Sequence, residues 1–222
     1  MTTTKIIGPF SQLLTMDNLP LKGSLSDSQL ERIPNAGIVT CDGKIVETGS
    51  FSQLCSTFED VADIEHIDTD IVVMPGMIDP HTHICWAGSR ANDYAQRLAG
   101  KSYLEIAQCG GGIMNTVTKT REATSQQLEA LLSERAMYHL LNGVTTIEVK
   151  SGYCLNTLGE IKLLEVINSV NHQISVDLIP TCLAAHIKPS DYQFSHSEYL
   201  ANIVDELLPE LRNCNNITCL FK

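Results

Sequence analysis

The sequence predicts an α/β chain in two parts. A small N-terminal β-sandwich portion spans 1–72, and about the first half of a (β/α)8 barrel spans 73–222. Three observations predict it. Residues 1 to about 70 break into short strand-like runs divided by turn residues. From Leu128 onward, helical and strand-like periods alternate. Between the two regimes, an apolar run enters a Pro75-Gly76 turn, and a second apolar run delivers His81 and His83.

In the first part, Lys5–Ile7 and Gln12–Thr15 read as strands separated by Gly8-Pro9, and residues 17–35 read as a loop. Ala36–Cys41 and Lys44–Thr48 flank Asp42-Gly43, a strong hairpin signal because both turn residues tolerate positive φ. Gly49 ends that hairpin. A short helix is expected over Ser52–Phe58 and a strand over Glu65–Asp68, with His66 an ordinary surface or half-buried histidine. Several short strands with unpaired edges suggest a partial sandwich.

In the second part, Leu128, Leu131, Leu132, Ala136 and Leu140 fall at helical spacing, stopped by Asn142-Gly143. Val144–Val149 follows as a strand, Gly159–Val170 as a helix, and Ile174–Ile179 as a strand. Tyr199–Leu208 reads as a helix ended by Pro209, and Asn216–Phe221 as one more strand. Strands joined through helices imply a parallel sheet. An eight-stranded barrel typically takes about 250 residues, so the chain is expected to stop near the middle of the barrel it starts.

Composition narrows the function classes. With 43% hydrophobic and 18% charged residues, the chain can bury a sizeable core. The formal net charge of −11 argues against nucleic acid or an anionic membrane as partner, and obliges an anionic substrate to find a local cation. The eight cysteines include no Cys-x-x-Cys pair and read as free thiols in a reducing compartment. No run approaches a membrane span, and no secretory signal pattern opens the sequence, so Asn216-Ile217-Thr218 reads as a chance sequon.

The chemistry-bearing residues start with His81 and His83. In an extended strand residues i and i+2 share a face, so two imidazoles can grip one metal ion while Thr82 points toward packing. Pro80 suits the frayed end of a strand, where a barrel opens into functional loops. Arg90 belongs to the loop leaving that strand. It offers a planar fork for a carboxylate, or pairs with Asp93 on the surface. Gly110-Gly111-Gly112 could cradle phosphate, although no P-loop lysine follows, or let backbone approach a substrate closely. Tyr153 and His186 follow the next two strands. Tyr153 could donate to a substrate or cap the sheet; His186 could be catalytic or structural. Three strand ends each offering a polar group to one face favour a site. His139, His172 and His196 read as solvated or structural.

The segments Pro75–His83, Trp86–Asn92, Gly110–Ile113 with Thr120–Thr124, Gly143–Tyr153 and Ala184–His186 resemble the imidazolonepropionases of the amidohydrolase superfamily. The resemblance implies a (β/α)8 TIM barrel of amidohydrolase type, a β-sandwich built from both chain ends, and one zinc or iron ion. By the same resemblance His81 and His83 are metal ligands, and Arg90, Tyr153 and His186 contact substrate, with Arg90 at the propionate. The implied reaction is metal-assisted hydrolysis of the ring amide C–N bond of 4-imidazolone-5-propanoate to N-formimidoyl-L-glutamate, in histidine degradation. His186 would stabilise the developing oxyanion. A small-molecule substrate, a homodimer and a cytoplasmic setting are the further expectations. The family's remaining ligands, a histidine and an aspartate, and its proton-transfer acid come from later strands, expected beyond Lys222. Cys154 stands where the family usually has glycine, and Lys150 reads as structural. The alternatives are another cyclic amidase or deaminase of the superfamily, or a catalytically inactive truncated product.

Overall fold

The computed structural model describes residues 3–59, 62–213 and 220–221. It divides into two compact units, Met1–Pro75 and Gly76–Lys222.

The first unit is one sheet in the order β3-β2-β1-β4, with β5 also on β1. Its strands are β1 (Thr4–Leu14), β2 (Arg32–Cys41), β3 (Lys44–Ser50), β4 (Ala62–His66) and β5 (Val72–Val73). The helix α1 (Phe51–Thr57) lays Leu54 on Ile6 and Val39. The described residues form one sheet with a helix on it, not two facing sheets. Gly8-Pro9 does not divide two strands. β1 runs through it with a register shift between Ile7 and Phe10, because a residue without an N–H interrupts a ladder locally and need not end it. Asp42 and Gly43 have φ of 50° and 76°, the left-handed pair that a two-residue hairpin demands. β3 continues past Gly49, which pairs with Gly37, to Ser50. The loop expected over 17–35 is shorter, since β2 begins at Arg32 and sets Ile33 against Leu13. The strand expected over 65–68 lies earlier, at Ala62–His66, parallel to β1. Val72–Val73 pairs with Gln12–Leu13, which puts the boundary after Pro75 instead of after residue 72.

The second unit is an all-parallel sheet in the order β6-β7-β8-β9, with β6 (Met77–Thr82), β7 (Val144–Lys150), β8 (Asp177–Cys182) and β9 (Leu220–Phe221). The crossover from β6 to β7 carries α2 (Ala91–Leu98), α3 (Tyr103–Gln108), α4 (Ile113–Glu122) and α5 (Ser125–Leu141). α2 has Ala91, Tyr94, Ala95 and Leu98 at helical spacing but buries none of them, and α3 buries only Ile106. The tripled glycine makes a packed corner. A Cβ on Gly111 would sit 2.5 Å from Asp93 Oδ1, and Gly112, at φ 78°, caps α4.

β7 returns through α6 (Thr157–Asn171) to β8. β8 starts at Asp177, three residues later than its apolar run suggests. Val176 is spent in the core while the chain still turns, and Asn171 Oδ1 accepts the Leu178 N–H at 2.6 Å to start the strand. Pro209 does not end the last helical segment. α7 (His196–Asn202) passes into a π-helical stretch, Ile203–Leu207, and α8 (Leu208–Asn213) follows with Pro209 in its first turn. The turn before it bonds Leu208 N–H to Ile203 O, i to i−5, so the hydrogen-bond ladder is already shifted where the proline enters. The strand expected over 216–221 is described at 220–221 only. The sequon at 216–218 and Cys214 and Cys219 lie outside the described residues. The core sits where Leu128, Leu132 and Ala136 of α5 and Leu163, Leu164, Ile167 and Val170 of α6 cover Ile147 and Val149 of β7 and Leu178 of β8. Each such leucine contributes about 1.5–3 kcal/mol by burial.

Candidate active site

The site grows from the C-terminal ends of β6, β7 and β8, the edge at which parallel α/β sheets expose functional loops. Pro80 interrupts the β6 ladder between Asp79 and Thr82. Thr82 then turns inward. Its N–H donates to Glu148 Oε2 at 3.2 Å and its hydroxyl to the Glu148 carbonyl at 2.6 Å. With Thr82 locked toward β7, His81 and His83 share the other side, their rings edge-to-face at 5.4 Å.

The loop after His83 is pinned to α5. Trp86 Nε1 donates to the His83 carbonyl at 2.9 Å. Arg135 Nη1 donates to the Ile84 and Trp86 carbonyls, each at 2.7 Å, and its guanidinium lies 3.8 Å over the Trp86 ring. Sequence reasoning missed Arg135, because its partners are backbone carbonyls some 50 positions away, which no local pattern encodes.

Tyr153 reaches the pair from the β7 end, with its ring 6.0 Å from that of His83. It rides on a loop of unusual backbone. Gly152 has φ 92°, with Leu183 O about 3.0 Å from where a Cβ would stand. Leu155 has φ 55°, a left-handed conformation costing a non-glycine residue about 1 kcal/mol. Ser151 ties this loop to the next one: its N–H donates to Thr181 O at 2.9 Å and its Oγ accepts from Leu183 N at 3.1 Å. His186 follows, its N–H donating to Leu183 O at 3.3 Å, and Tyr199 of α7 holds the Ala184 carbonyl at 2.9 Å.

The electrostatics favour a neutral imidazole. Burial lowers the pKa of His83 first; Lys150, His81 and His186 lower it further, against Glu148. Beside it, the Lys150 ammonium donates to Glu148 Oε2, and Lys150 is 1% exposed. Burial pushes the Glu148 carboxyl up, but the hydrogen bonds led by that ammonium outweigh it and hold the group below the ordinary range. Burial raises the Tyr153 phenol, with Arg90 and Arg135 opposing.

Of the expected site residues, His81, His83 and Tyr153 stand in ring contact, and His186 lies within electrostatic reach of His83. Arg90 is held by Asp93, its Nε 3.0 Å from Oδ2, while the same carboxylate oxygen accepts the Gly112 N–H at 2.8 Å. Its side chain remains about half exposed. His139 Nδ1 stands 3.7 Å from Asp79 Oδ2, a structural placement. Among the described residues, no group of three or more His, Cys, Asp or Glu side chains is arranged to hold a metal ion. The two imidazoles fit as two donors of such a site: they share a face, and a neutral ring is the ligating form.

Comparison with known proteins decides the kinship. No family model matches the chain. The imidazolonepropionase of Symbiobacterium thermophilum is 39% identical over 200 residues, 89% of this chain and 47% of the relative. Those of Idiomarina loihiensis and Streptococcus gordonii are 40% identical over 199 residues and 38% over 218. The chain is related to the imidazolonepropionases. It spans about half the length of the imidazolonepropionases it matches. Among solved structures, the guanine deaminases of C. acetobutylicum and E. coli superpose with TM-scores of 0.56 and 0.53 at 13% and 16% identity. They cover 99% of this chain and 46% and 44% of the deaminases. At that identity the likeness shows the fold alone. Among the described residues, no helix is long and apolar enough to cross a membrane.

Proposed function

We propose that this chain contributes β6–β9 and their loops to a (β/α)8 barrel that hydrolyses the ring amide C–N bond of 4-imidazolone-5-propanoate, yielding N-formimidoyl-L-glutamate in histidine degradation. The observation that carries it is the kinship to imidazolonepropionases over most of this chain, with the motif residue His83 in ring contact with both His81 and Tyr153. His81 and His83 would hold a zinc or iron ion, which when bound would activate water and polarise the lactam carbonyl. The chain's own residues orient the substrate. Arg90, with about half its side chain open to solvent, receives the propionate and supplies the local cation that an acidic protein needs. Tyr153 donates a hydrogen bond to the ring, and His186, at the mouth of β8, stabilises the oxygen on which charge develops. The substrate is the small-molecule partner; a cytoplasmic homodimer is the setting this reading takes.

The test is turnover of imidazolone propionate by the complete barrel that carries this chain, followed by absorbance loss, with guanine and a dihydropyrimidine in parallel. The expected result is turnover of the imidazolone alone, lost by a factor of about 100 or more in His81→Ala, since a ligand counts for at least as much as the outer-shell partners whose loss costs about 10–100-fold. Preferential turnover of guanine or the dihydropyrimidine would assign the site to another amidohydrolase chemistry. No turnover of any of them by the metal-loaded complete barrel that carries this chain would overturn the reading.

A further inference from the structure

We propose that Glu160 is a positioning residue that sets where Tyr153 stands against His83. Glu160 opens the buried stripe of α6, one turn before Leu163 and Leu164, and is 0% exposed. Its carboxyl faces the loop between β7 and α6. Oε2 accepts the Gly152 N–H at 2.7 Å, and Oε1 accepts those of Cys154 at 3.0 Å and Leu155 at 2.7 Å. These three donors bracket Tyr153 on both sides.

A carboxyl in the core is costly unless its oxygens are filled, and an apolar side chain here would simply continue the stripe of Leu163, Ile167 and Val170. Packing alone therefore gives no reason for this residue. The loop gives one. Leu155, at φ 55°, lies in the left-handed region that a leucine rarely adopts, so the segment does not close by its own preference. Strained backbone of this kind persists where its surroundings over-determine it, and the carboxyl does so with three bonds from a helix anchored in the core. Arg121 Nε adds a fourth hold at the Cys154 carbonyl, at 2.6 Å. The side chain delivered by this grip is Tyr153, edge-to-face with His83. The inference rests on the proposed function only in giving Tyr153 a substrate to meet; the placement itself does not depend on it.

The experiment is Glu160→Gln in the full chain, read by amide exchange and by NMR contacts between the Tyr153 and His83 rings. Glutamine keeps the shape but replaces one acceptor oxygen with a donor that meets an N–H head-on. The amide oxygen can keep the Cys154 and Leu155 bonds, so exchange at Gly152 is expected to rise about tenfold, as loss of one buried hydrogen bond implies. The Tyr153–His83 cross-peaks are expected to weaken, while exchange at Leu164 and Leu178 stays unchanged. Wild-type exchange and cross-peaks in E160Q would overturn the proposal, and so would a uniform rise through α6 and β8, which would make Glu160 a residue of general stability. If E160Q does not fold, E160D decides by the same cross-peaks: it keeps the carboxyl one methylene short, and an undisturbed ring contact would overturn the proposal. Turnover of imidazolone propionate in parallel separates the two failures. A displaced ring with unchanged turnover supports the positioning and removes Tyr153 from the proposed chemistry.

Discussion

Cys85 and Cys154 show how burial sets reactivity one residue at a time. Burial pushes both thiols up to about 12, so at neutral pH they stay protonated and make poor nucleophiles. Cys109 is exposed at the end of α3. Iodoacetamide at neutral pH is therefore expected to alkylate Cys109 well before Cys85 or Cys154, as peptide mass mapping would show. Early labelling of Cys154 would mean that the 152–155 loop opens readily. At this scale the His-x-His pair was legible because strand alternation places i and i+2 together regardless of what surrounds them. Glu160 was not singled out, although a signal existed. Extending the apolar phase of Leu163, Leu164, Ile167 and Val170 back by one turn lands on a charged residue where a hydrophobic one belongs.

Helix starts are where local sequence acts most directly on an element. α3, α5 and α7 each begin with a capping box, Ser102 with Glu105, Thr124 with Gln127 and Ser195 with Glu198. The Ser195 N–H and then its hydroxyl hold the Glu198 carboxyl below the ordinary range. A carboxylate whose pKa falls on folding stabilises the native state above its unfolded value, about 4.3. That contribution is lost as pH drops through the lower, folded value. Glu198→Gln is thus expected to lower the melting temperature at pH 7, with the gap to wild type closing below about pH 4. A gap that persists in acid would trace the effect to lost shape and not to charge. The apolar phase alone nevertheless places the starts of α5 and α7 three residues late, at Leu128 and Tyr199, because the capping residues ahead of them are polar. β8 begins late because Val176 packs before the strand does, and Pro209 sits inside a helix because the preceding π-turn changes which N–H is needed.

On the scale of the molecule, the two units carry cores of different size. The first gathers buried Ile6, Val39 and Leu54 beneath α1, while the second packs α5 and α6 on β7 and β8 with more than a dozen buried apolar side chains. Local opening costs least where few apolar contacts must break. Hydrogen exchange is expected to be faster in β2 and β3 than in β7 and β8, measured by mass spectrometry on the native chain. Equal protection in both would show that the small core is supported by contacts beyond its own residues.

Several features followed from the sequence alone: the division into a β part and a strand–helix part, the Asp42-Gly43 turn, the parallel order of the second sheet, and the paired imidazoles of His81 and His83. Each depends on a period of two or 3.6 residues, or on a turn whose φ only certain residues accept, and such constraints act between near neighbours. Other features needed the tertiary structure. Arg135 binds carbonyls on a loop about fifty residues away, Glu160 grips the backbone on both sides of Tyr153, and Lys150 is buried against Glu148 beside His83. These residues are polar, their partners are mostly backbone or distant charges, and their cost or benefit exists only once the surrounding chain has excluded water.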